Sequence, residues 1–358
     1  MAQPGDRATA SVEFRRVTKR YGAVVAVNAV SFSIEPGTLV TLLGPSGCGK
    51  TTTLRLIAGL EIASEGLILI GGRDVTRLSA ADRNVSMVFQ SYALFPHMTV
   101  VENVAYGPIV AGMPKARAHA VAREQLALIG LEGLDRRLPS ELSGGQQQRV
   151  AVARALVLEP LVLLFDEPLS NLDAKLRRRV RDDIRELQQK LNLTVAYVTH
   201  DQQEALAVSD RIIVMASATI AQAGTPRELY EAPASLFVAD FVGDANLVSA
   251  ELIARNGEQA RVRIGDVEAT LPHRGAAPGP VKVSIRPESL RLVAESPGRP
   301  AITGSVAKAA YLGTHMEYSV ATALGELFVV DRAVTHPIPV GSPVWMELAD
   351  HGVTVVSG

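Results

Sequence analysis

Two hydrophobic patterns follow one another along the chain. From Val12 to about Gly243, short strand-like apolar runs alternate with longer helical stretches: LVTLLG precedes KTTTLRLIAGL, and LVLLFDEP precedes AKLRRRVRDDIRELQQKL. Beyond Phe241 the runs are short and rich in Val, Ile and Thr, as in ARVRIGDVEATL and PVKVSIRPESLRLV, with Gly and Pro between them. The first pattern predicts an α/β fold and the second a small all-β, barrel-like domain. We expect domains over residues 12–242 and 243–358.

The length of the chain agrees with two domains, and its charge distribution disfavours nucleic-acid binding. The 358 residues are 47% hydrophobic and carry a formal net charge of −1, with charges spread along the chain. That length exceeds one ordinary domain. The sequence has no basic stripe of the kind that would indicate a nucleic-acid partner. The run AKLRRRVRDDIRELQQKL carries charges on most faces, which favours a solvated surface helix. No special role is assigned to Arg177, Arg178 or Arg179.

Cysteine content and apolar runs bear on location. Cys48 is the single cysteine, so no intramolecular disulfide can form, and we expect a cytoplasmic protein. The N-terminal run MAQPGDRATASVEF lacks the apolar core of a signal peptide, and the most apolar run, ALVLEPLVLLF, is interrupted by Glu159 and Pro160. We expect no membrane-spanning segment, so any membrane association depends on protein partners.

A glycine-rich loop provides the first candidate chemistry. GPSGCGKTT follows the apolar run LVTLL directly, precedes a helical run and satisfies the phosphate-loop pattern G-x-x-x-x-G-K-[ST]. Its backbone N–H groups and the following helix predict a phosphate cradle, with Lys50 reaching the β- and γ-phosphates and Thr51 offering its hydroxyl to Mg²⁺. We also expect Cys48 to react with thiol reagents and to be protected by Mg-ATP. The candidate nucleotide-binding residues here are Gly44, Pro45, Ser46, Gly47, Cys48, Gly49, Lys50, Thr51 and Thr52.

Two acidic residues end the apolar run LVLLFDE. A buried strand delivers carboxylates to its C-terminal edge, where ligands of parallel α/β sheets bind. We expect Asp166 to hold Mg²⁺ through water and Glu167 to polarise the water that attacks the phosphate. On its own such a strand end could equally begin a solvated loop; the phosphate loop favours the catalytic interpretation.

A phosphate loop and an acidic strand are shared by kinases, GTPases and RecA-like motors. The run LSGGQ, continued by QQRVAVARAL, resembles the signature of ATP-binding cassette (ABC) proteins. The resemblance implies an α/β P-loop NTPase fold with a RecA-like core and a helical subdomain, and an active ATPase. Ser143, Gly144, Gly145 and Gln146 would form a second anion cradle at a helix start. In the family this signature faces the phosphate loop of the opposite subunit, which implies a homodimer around two Mg-ATP.

Four further positions carry the resemblance. Tyr21 resembles the aromatic that stacks on adenine, although it could be a surface turn residue. Gln90 resembles the glutamine that senses Mg²⁺ and the attacking water, and His200 the histidine that contacts the γ-phosphate. Asp173 resembles the aspartate that communicates across the dimer and could also cap a helix.

Chain layout distinguishes the classes of ABC protein. Long coiled coils, tandem cassettes and fused membrane spans are not predicted, which disfavours chromosome-maintenance proteins, translation factors and common exporters. SIRPESLRL and YLGTHMEYSV resemble the OB-like TOBE domain of importer ATPases, which we place over residues 243–358. The resemblance implies an importer of a polyamine, ferric ion or phosphonate-like solute; an exporter ATPase or a regulatory soluble ABC protein is the alternative. Whether the TOBE domain senses a ligand or only stabilises a dimer stays open.

The resemblance also implies partners and a place in the cell. We expect integral-membrane permease subunits, indirectly a solute-binding protein, and a peripheral position at the cytoplasmic face of the inner membrane. Tyr92, Leu94, Phe95 and Met98 could receive a permease helix or be buried in the chain's own core.

Overall fold

The structure, a computed structural model, describes residues 9–356. These residues fall into two compact units that divide between Pro226 and Arg227. The first eight residues of the run considered above for a signal peptide, and the last two residues of the predicted second domain, lie outside the described part.

The first unit contains both strands and helices. Its strands are β1 (Val12–Tyr21), β2 (Val24–Ile34), β3 (Leu39–Leu43), β4 (Glu65–Ile70), β5 (Arg73–Asp74), β6 (Val85–Val88), β7 (Val162–Asp166), β8 (Val195–Val198), β9 (Arg211–Ala216) and β10 (Thr219–Gly224). Its helices are α1 (Lys50–Ala58), α2 (Val100–Val110), α3 (Lys115–Leu128), α4 (Gly144–Leu156), α5 (Ala174–Leu191) and α6 (Gln202–Val208).

A largely parallel sheet forms the centre of this unit, in the order β10-β9-β3-β8-β7-β6. Strands β9, β3, β8, β7 and β6 run parallel, and β10 is antiparallel to β9. Both faces are covered: α1 packs against residues such as Leu42 and Val198, whereas α5 packs against Leu163 and Tyr197 on the other side. Burial on both faces explains why β8, and β3 apart from the buried Thr41, are apolar instead of alternating.

An antiparallel sheet in the order β2-β1-β4-β5 shares the core on the α1 side. Helices α2, α3 and α4 form a separate apolar cluster, the helical subdomain. Thr99 begins α2 with a capping box, in which its hydroxyl accepts from the N–H of Glu102 and the Glu102 carboxylate accepts from the N–H of Thr99. The predicted ABC ATPase architecture of a RecA-like core and a helical subdomain is confirmed.

The second unit is built mainly from antiparallel strands. Its elements are α7 (Pro226–Glu231), which starts at the division, α8 (Leu236–Phe241), β11 (Asn246–Asn256), β12 (Gln259–Ile264), β13 (Val267–Pro272), β14 (Gly279–Ile285), β15 (Leu290–Val293), β16 (Ile302–Tyr311), β17 (Met316–Thr322), β18 (Gly325–Asp331), β19 (Pro343–Leu348) and β20 (Val353–Val356). One sheet has the order β13-β12-β11-β14-β20 and the other β15-β19-β16-β17-β18. Residues of both sheets share one apolar core, so the predicted all-β domain is confirmed.

The second unit begins earlier in the chain than residue 243, where the sequence places the domain start. Arg286, only 1% exposed, donates hydrogen bonds to the carbonyls of Ala239 (2.8 Å), Tyr230 (3.2 Å) and Val242, and its guanidinium lies 4.0 Å from the centroid of the Tyr230 ring. These contacts attach the short helices α7 and α8 to the β-strands. Apolar periodicity does not reveal them, because a buried arginine is not part of that pattern.

We predict that Arg286→Met destabilises the second unit by about 2–4 kcal/mol, because several buried carbonyls lose their charged donor. Trp345, the single tryptophan, lies in β19 and reports urea unfolding of this unit by fluorescence. Arg291→Met is the matched control, since Arg291 is exposed on β15. An unchanged urea midpoint in Arg286→Met would contradict the buried-donor role.

Candidate functional site

The phosphate loop joins the buried strand β3 to α1. Gly44 has φ +155° and Gly49, which caps α1, has φ +104°. A Cβ atom would lie 2.3 Å from the Met215 carbonyl oxygen at Gly44 and 2.4 Å from the Ala26 carbonyl oxygen at Gly49. Neither position has room for a side chain, so the glycines keep the backbone close to its neighbours while its N–H groups stay available.

Lys50 lies under this loop rather than in solvent, with an exposed fraction of 6%. Its ammonium donates to the carbonyl oxygens of Gly44 (2.7 Å) and Pro45 (2.9 Å), which hold it in place. Neither acceptor carries a full charge, so Lys50 keeps a positive charge at the loop that suits a polyphosphate.

Cys48 is a packing residue of the same loop. Its side chain is 4% exposed, and its Sγ lies 3.9 Å from Lys50 Nζ. A thiol reagent reaches it only when the loop opens. The expected labelling of Cys48 and its protection by Mg-ATP therefore stay predictions that depend on loop opening.

The carboxyl end of β7 brings Asp166 beside α1. The Thr51 hydroxyl lies close enough to the Asp166 carboxylate to lower its pKa. Burial raises the pKa of Asp166, and the neighbouring Glu167 raises it further, whereas Arg55, Thr51 and Lys50 act in the opposite direction. A hydroxyl and a half-buried carboxylate thus face each other next to the phosphate loop.

Glu167 follows at a strained position, since its φ of +45° lies in the left-handed region that non-glycine residues rarely adopt. Its N–H donates to the Val198 carbonyl at 3.0 Å, which fixes it at the end of β8. Its Oε2 lies 3.0 Å from Nδ1 of His200, the second residue after β8. Two candidate catalytic groups from separate segments therefore contact each other.

Gln90 follows β6 and is tied to the segment after Glu167. Its Nε2 donates to Ser170 Oγ at 3.1 Å, and its carbonyl accepts from Asn171 Nδ2 at 3.1 Å. The Ser170 hydroxyl in turn lies 3.1 Å from the Glu167 carbonyl oxygen. Sequence reasoning missed Ser170 and Asn171; their only signal is their place in PLSNLD, directly after Glu167, the candidate catalytic carboxylate.

Tyr21 ends β1 beside the start of α1. Glu61 and Thr52 lie near enough to its hydroxyl to affect the pKa of Tyr21, and Lys19 Nζ lies 4.7 Å from its ring centroid. Burial and the Glu61 carboxylate raise the pKa of Tyr21. The side chain is still 44% exposed, so an aromatic surface remains available near Thr52 of the phosphate loop.

The signature run begins α4. The exposed Ser143 caps the helix by accepting from the N–H of Gln146 (3.4 Å), and the Gln146 side chain accepts from the N–H of Ser143 (2.9 Å). Cβ atoms at Gly144 and Gly145 would lie 3.0 Å from Leu172 and 2.9 Å from Leu176, so a side chain at either position would require these leucines to shift. Within residues 9–356, no hydrogen bond or ion pair joins the signature to the phosphate loop.

Asp173 lies in the connection between β7 and α5. It is exposed and caps α5, accepting from the N–H groups of Lys175 (3.1 Å) and Leu176 (3.0 Å). The capping role foreseen for it is present; a contact with a partner subunit stays a prediction.

The four apolar residues after Gln90 divide between core and surface. Tyr92 is buried in the chain's own core, Leu94 packs against that core, and Phe95 and Met98 are partly exposed. Arg154, near the end of α4, donates to the carbonyls of Ala93 (2.7 Å) and Tyr92 (2.8 Å). The signature helix thereby holds the segment that follows Gln90.

None of the helices in the described part of the chain has the length and apolar character needed to cross a membrane.

Two family models match the chain. The "ABC transporter" model matches residues 27–170, and the "TOBE domain" model matches residues 283–356. The first range contains the phosphate loop, the signature, Asp166 and Glu167, and the second contains most strands of the second unit.

Curated relatives match over nearly the whole length. A Rhizobium etli protein named "Fe(3+) ions import ATP-binding protein FbpC" is 59% identical over 97% of this chain and 98% of its own. Proteins of the same name from Brucella abortus (58%; 97% of this chain, 98% of that one) and Escherichia coli (47%; 97% of each) are also similar.

A solved structure agrees for the first unit. It is described as a dimeric post-hydrolysis state of the ATP-binding cassette MJ0796 bound to ADP and Pi. It is 33% identical, with a TM-score of 0.54, and the match covers 60% of this chain and 99% of that one. With relatives this similar over the full length, the chain belongs to the ABC transporter family, as an ATP-hydrolysing subunit of the importer type with a C-terminal TOBE domain.

Proposed function

We propose that two copies of this chain close around two Mg-ATP molecules and that their hydrolysis drives ferric-ion import through separate permease subunits. The observation that carries the proposal is the meeting of Glu167 and His200 at 3.0 Å beside the Thr51–Asp166 pair. These groups come from three chain segments that converge on one edge of a parallel sheet, where α/β proteins bind ligands.

ATP binds along the phosphate loop and α1. The backbone N–H groups of residues 44–52 and the Lys50 ammonium hold the β- and γ-phosphates, because their positive charge is fixed close to the loop. The exposed ring of Tyr21 stacks on adenine at the other end.

Thr51 and Asp166 fit a Mg²⁺ ion. The described residues contain no group of three or more His, Cys, Asp or Glu side chains that could hold a metal alone. Mg²⁺ needs no such group, since it takes one or two protein oxygens, phosphate oxygens and several waters. Asp166, with Thr51 and Gln90, would hold it, and the bound ion would neutralise phosphate charge. This is the role that phosphoryl transfer requires of a metal.

Glu167 orients and polarises the attacking water, as its carboxylate lies at the sheet edge next to Asp166. His200 fixes the Glu167 carboxylate through their contact and reaches the γ-phosphate with its exposed ring. Gln90 is held by Ser170 close to Glu167, where it can contact the same water.

The homodimer is supported by two features. Ser143 is exposed at the start of α4 and is not bonded to the phosphate loop of its own chain. Related cassettes of known structure are described as dimers. In the proposed dimer, Ser143, Gly144, Gly145 and Gln146 of one copy contact the nucleotide on the other copy, and Asp173 lies between the two sites.

We infer the partners and the location from the importer type. The chain associates with permease subunits and, indirectly, with a solute-binding protein. It lies peripherally at the cytoplasmic face of the inner membrane. The partly exposed Phe95 and Met98 are the proposed contact with a permease helix. Ferric ion is the proposed solute, since relatives bearing that name are 47–59% identical over 97% of the chain.

We predict that Glu167→Gln binds Mg-ATP with little change and loses about 10²–10³-fold in kcat, because the amide keeps the shape but cannot polarise water. Steady-state phosphate release measures turnover, and light scattering with saturating Mg-ATP measures dimer formation. Glu167→Gln should dimerise with Mg-ATP and not with ATP in EDTA. Near-normal hydrolysis would remove Glu167 from its role, and a monomer under these conditions would contradict the clamp.

We predict that the apparent affinity for Mg²⁺ decreases as the pH falls. The decrease should begin at a higher pH than it would if Asp166 had the pKa of an ordinary aspartate. Burial raises the pKa of Asp166. This carboxylate therefore gains a proton and loses its charge at a pH above the range in which an ordinary aspartate titrates. Below that pKa, the apparent Mg²⁺ affinity in ATP should fall about tenfold per pH unit.

Asp166→Asn is the control for that pH series, because protonation of ATP itself affects both proteins equally. The extra acid step should be missing in Asp166→Asn, which should keep weak Mg²⁺ activation with only the pH dependence of the nucleotide. The same acid step in both proteins would assign it to the nucleotide.

We predict that a strain lacking this gene loses uptake of radioactive ferric iron and keeps uptake of spermidine and of a phosphonate. The wild-type gene should restore ferric uptake, and the Glu167→Gln gene should not, because transport requires turnover. Loss of spermidine or phosphonate uptake with intact ferric uptake would overturn the choice of solute.

A further inference from the structure

Arg177 lies one turn into α5 and joins two segments on either side of the candidate catalytic edge. Its Nη2 donates to the Leu172 carbonyl oxygen at 3.1 Å, directly before Asp173. Its Nη1 donates to Asp201 Oδ2 at 3.4 Å, directly after His200. A single guanidinium thus contacts the neighbours of two predicted site residues.

The segment that carries His200 is built around a buried carboxylate. Glu204 Oε2 accepts from the Thr199 hydroxyl (2.8 Å) and from the Tyr197 hydroxyl (3.2 Å). Asp201 caps α6 by accepting from the N–H of Glu204 at 3.0 Å, and its own N–H donates to Thr199 Oγ1 at 3.0 Å. The residues before and after His200 are therefore held in one network.

Arg177 connects this network to α5. Its Nε lies 3.7 Å from Glu204 Oε1, and its Nη1 contacts Asp201, so both carboxylates face the same guanidinium. The planar fork of an arginine can serve a carbonyl and two carboxylates at once, which the single ammonium of a lysine cannot do with the same geometry. These contacts leave the His200 segment and the Leu172–Asp173 segment little freedom to move separately.

Stability alone is a weak explanation for this arrangement. The Arg177 side chain is 35% exposed, and its ion-pair distances of 3.4 and 3.7 Å are long. The Arg177–Asp201 pair joins two partly exposed side chains and stabilises the fold only slightly, and the contact with the buried Glu204 is too long for a hydrogen bond. What the contacts do set is the position of one loop relative to another.

We propose that Arg177 is a positioning residue for ATP hydrolysis, which fixes the His200 segment relative to the Asp173 segment. The proposal rests on the function proposed above, in which His200 contacts the γ-phosphate and Asp173 lies at the dimer interface. In that dimer, a displacement of Asp173 by the partner subunit reaches His200 through one side chain.

The test compares Arg177→Met with Arg178→Met in the purified full-length chain. Arg178 is adjacent and exposed, so Arg178→Met makes the same change of composition and net charge as Arg177→Met. We expect Arg177→Met to lower kcat about tenfold and to change KM for ATP less than about twofold, because misplacement of a catalytic contact affects the transition state more than binding. Arg178→Met should keep both constants within about twofold of wild type.

A second variant keeps the proposal testable if Arg177→Met folds poorly. Asp201→Asn retains an oxygen that caps α6 and removes the charge that faces Arg177. It should also lower kcat, and the double variant should be no slower than the slower single variant, because both changes break one connection. Additive losses of kcat in the double variant would overturn the positioning role. A fall in kcat that only accompanies a fall in melting temperature would also overturn it.

Failure of this proposal and failure of the proposed function give different results. If wild type hydrolyses ATP, Glu167→Gln does not, and Arg177→Met matches wild type, only the role of Arg177 is wrong. If Glu167→Gln also hydrolyses ATP at the wild-type rate, the assignment of the catalytic edge is wrong.

Discussion

Parallel pairing of three buried strands determines where the chemistry can occur. Leu42 of β3 and Asp166 of β7 are both paired with Val198 of the intervening β8, so the three strands end at the same level. The phosphate loop begins two residues after Leu42, Glu167 follows Asp166, and His200 comes two residues after Val198. A slip of one residue in either pairing would move these groups apart and turn their side chains to the other face.

This dependence explains which parts of the site could be read from the sequence. The phosphate loop, the signature and the acidic strand end are contiguous runs, and each local motif has a backbone requirement of its own, as Gly44 and Gly49 show. The α/β and all-β patterns likewise predict the two sheets, since burial on one or two faces leaves a direct periodicity in the sequence.

Contacts between distant segments could not be read in this way. Gln90 and Ser170 meet only because β6 and β7 are neighbours, and Arg177 reaches Asp201 only because α5 and α6 pack side by side. The charged run of α5 predicts an exposed helix, and Arg178 and Arg179 fit that prediction. The run does not reveal that Arg177 is partly buried, because three consecutive arginines give no indication of which side chain points toward the protein. The attachment of α7 and α8 to the strands within the second unit is similar, since it depends on the buried Arg286 rather than on an apolar pattern.

Helix α4 joins Ser143 at its start to Arg154 near its end, and Arg154 holds the carbonyls of Tyr92 and Ala93. At 1.5 Å per residue these two ends are about 16 Å apart, and a helix of this length is stiff. One rigid element therefore connects the exposed signature residue Ser143 with the stretch of chain that follows Gln90.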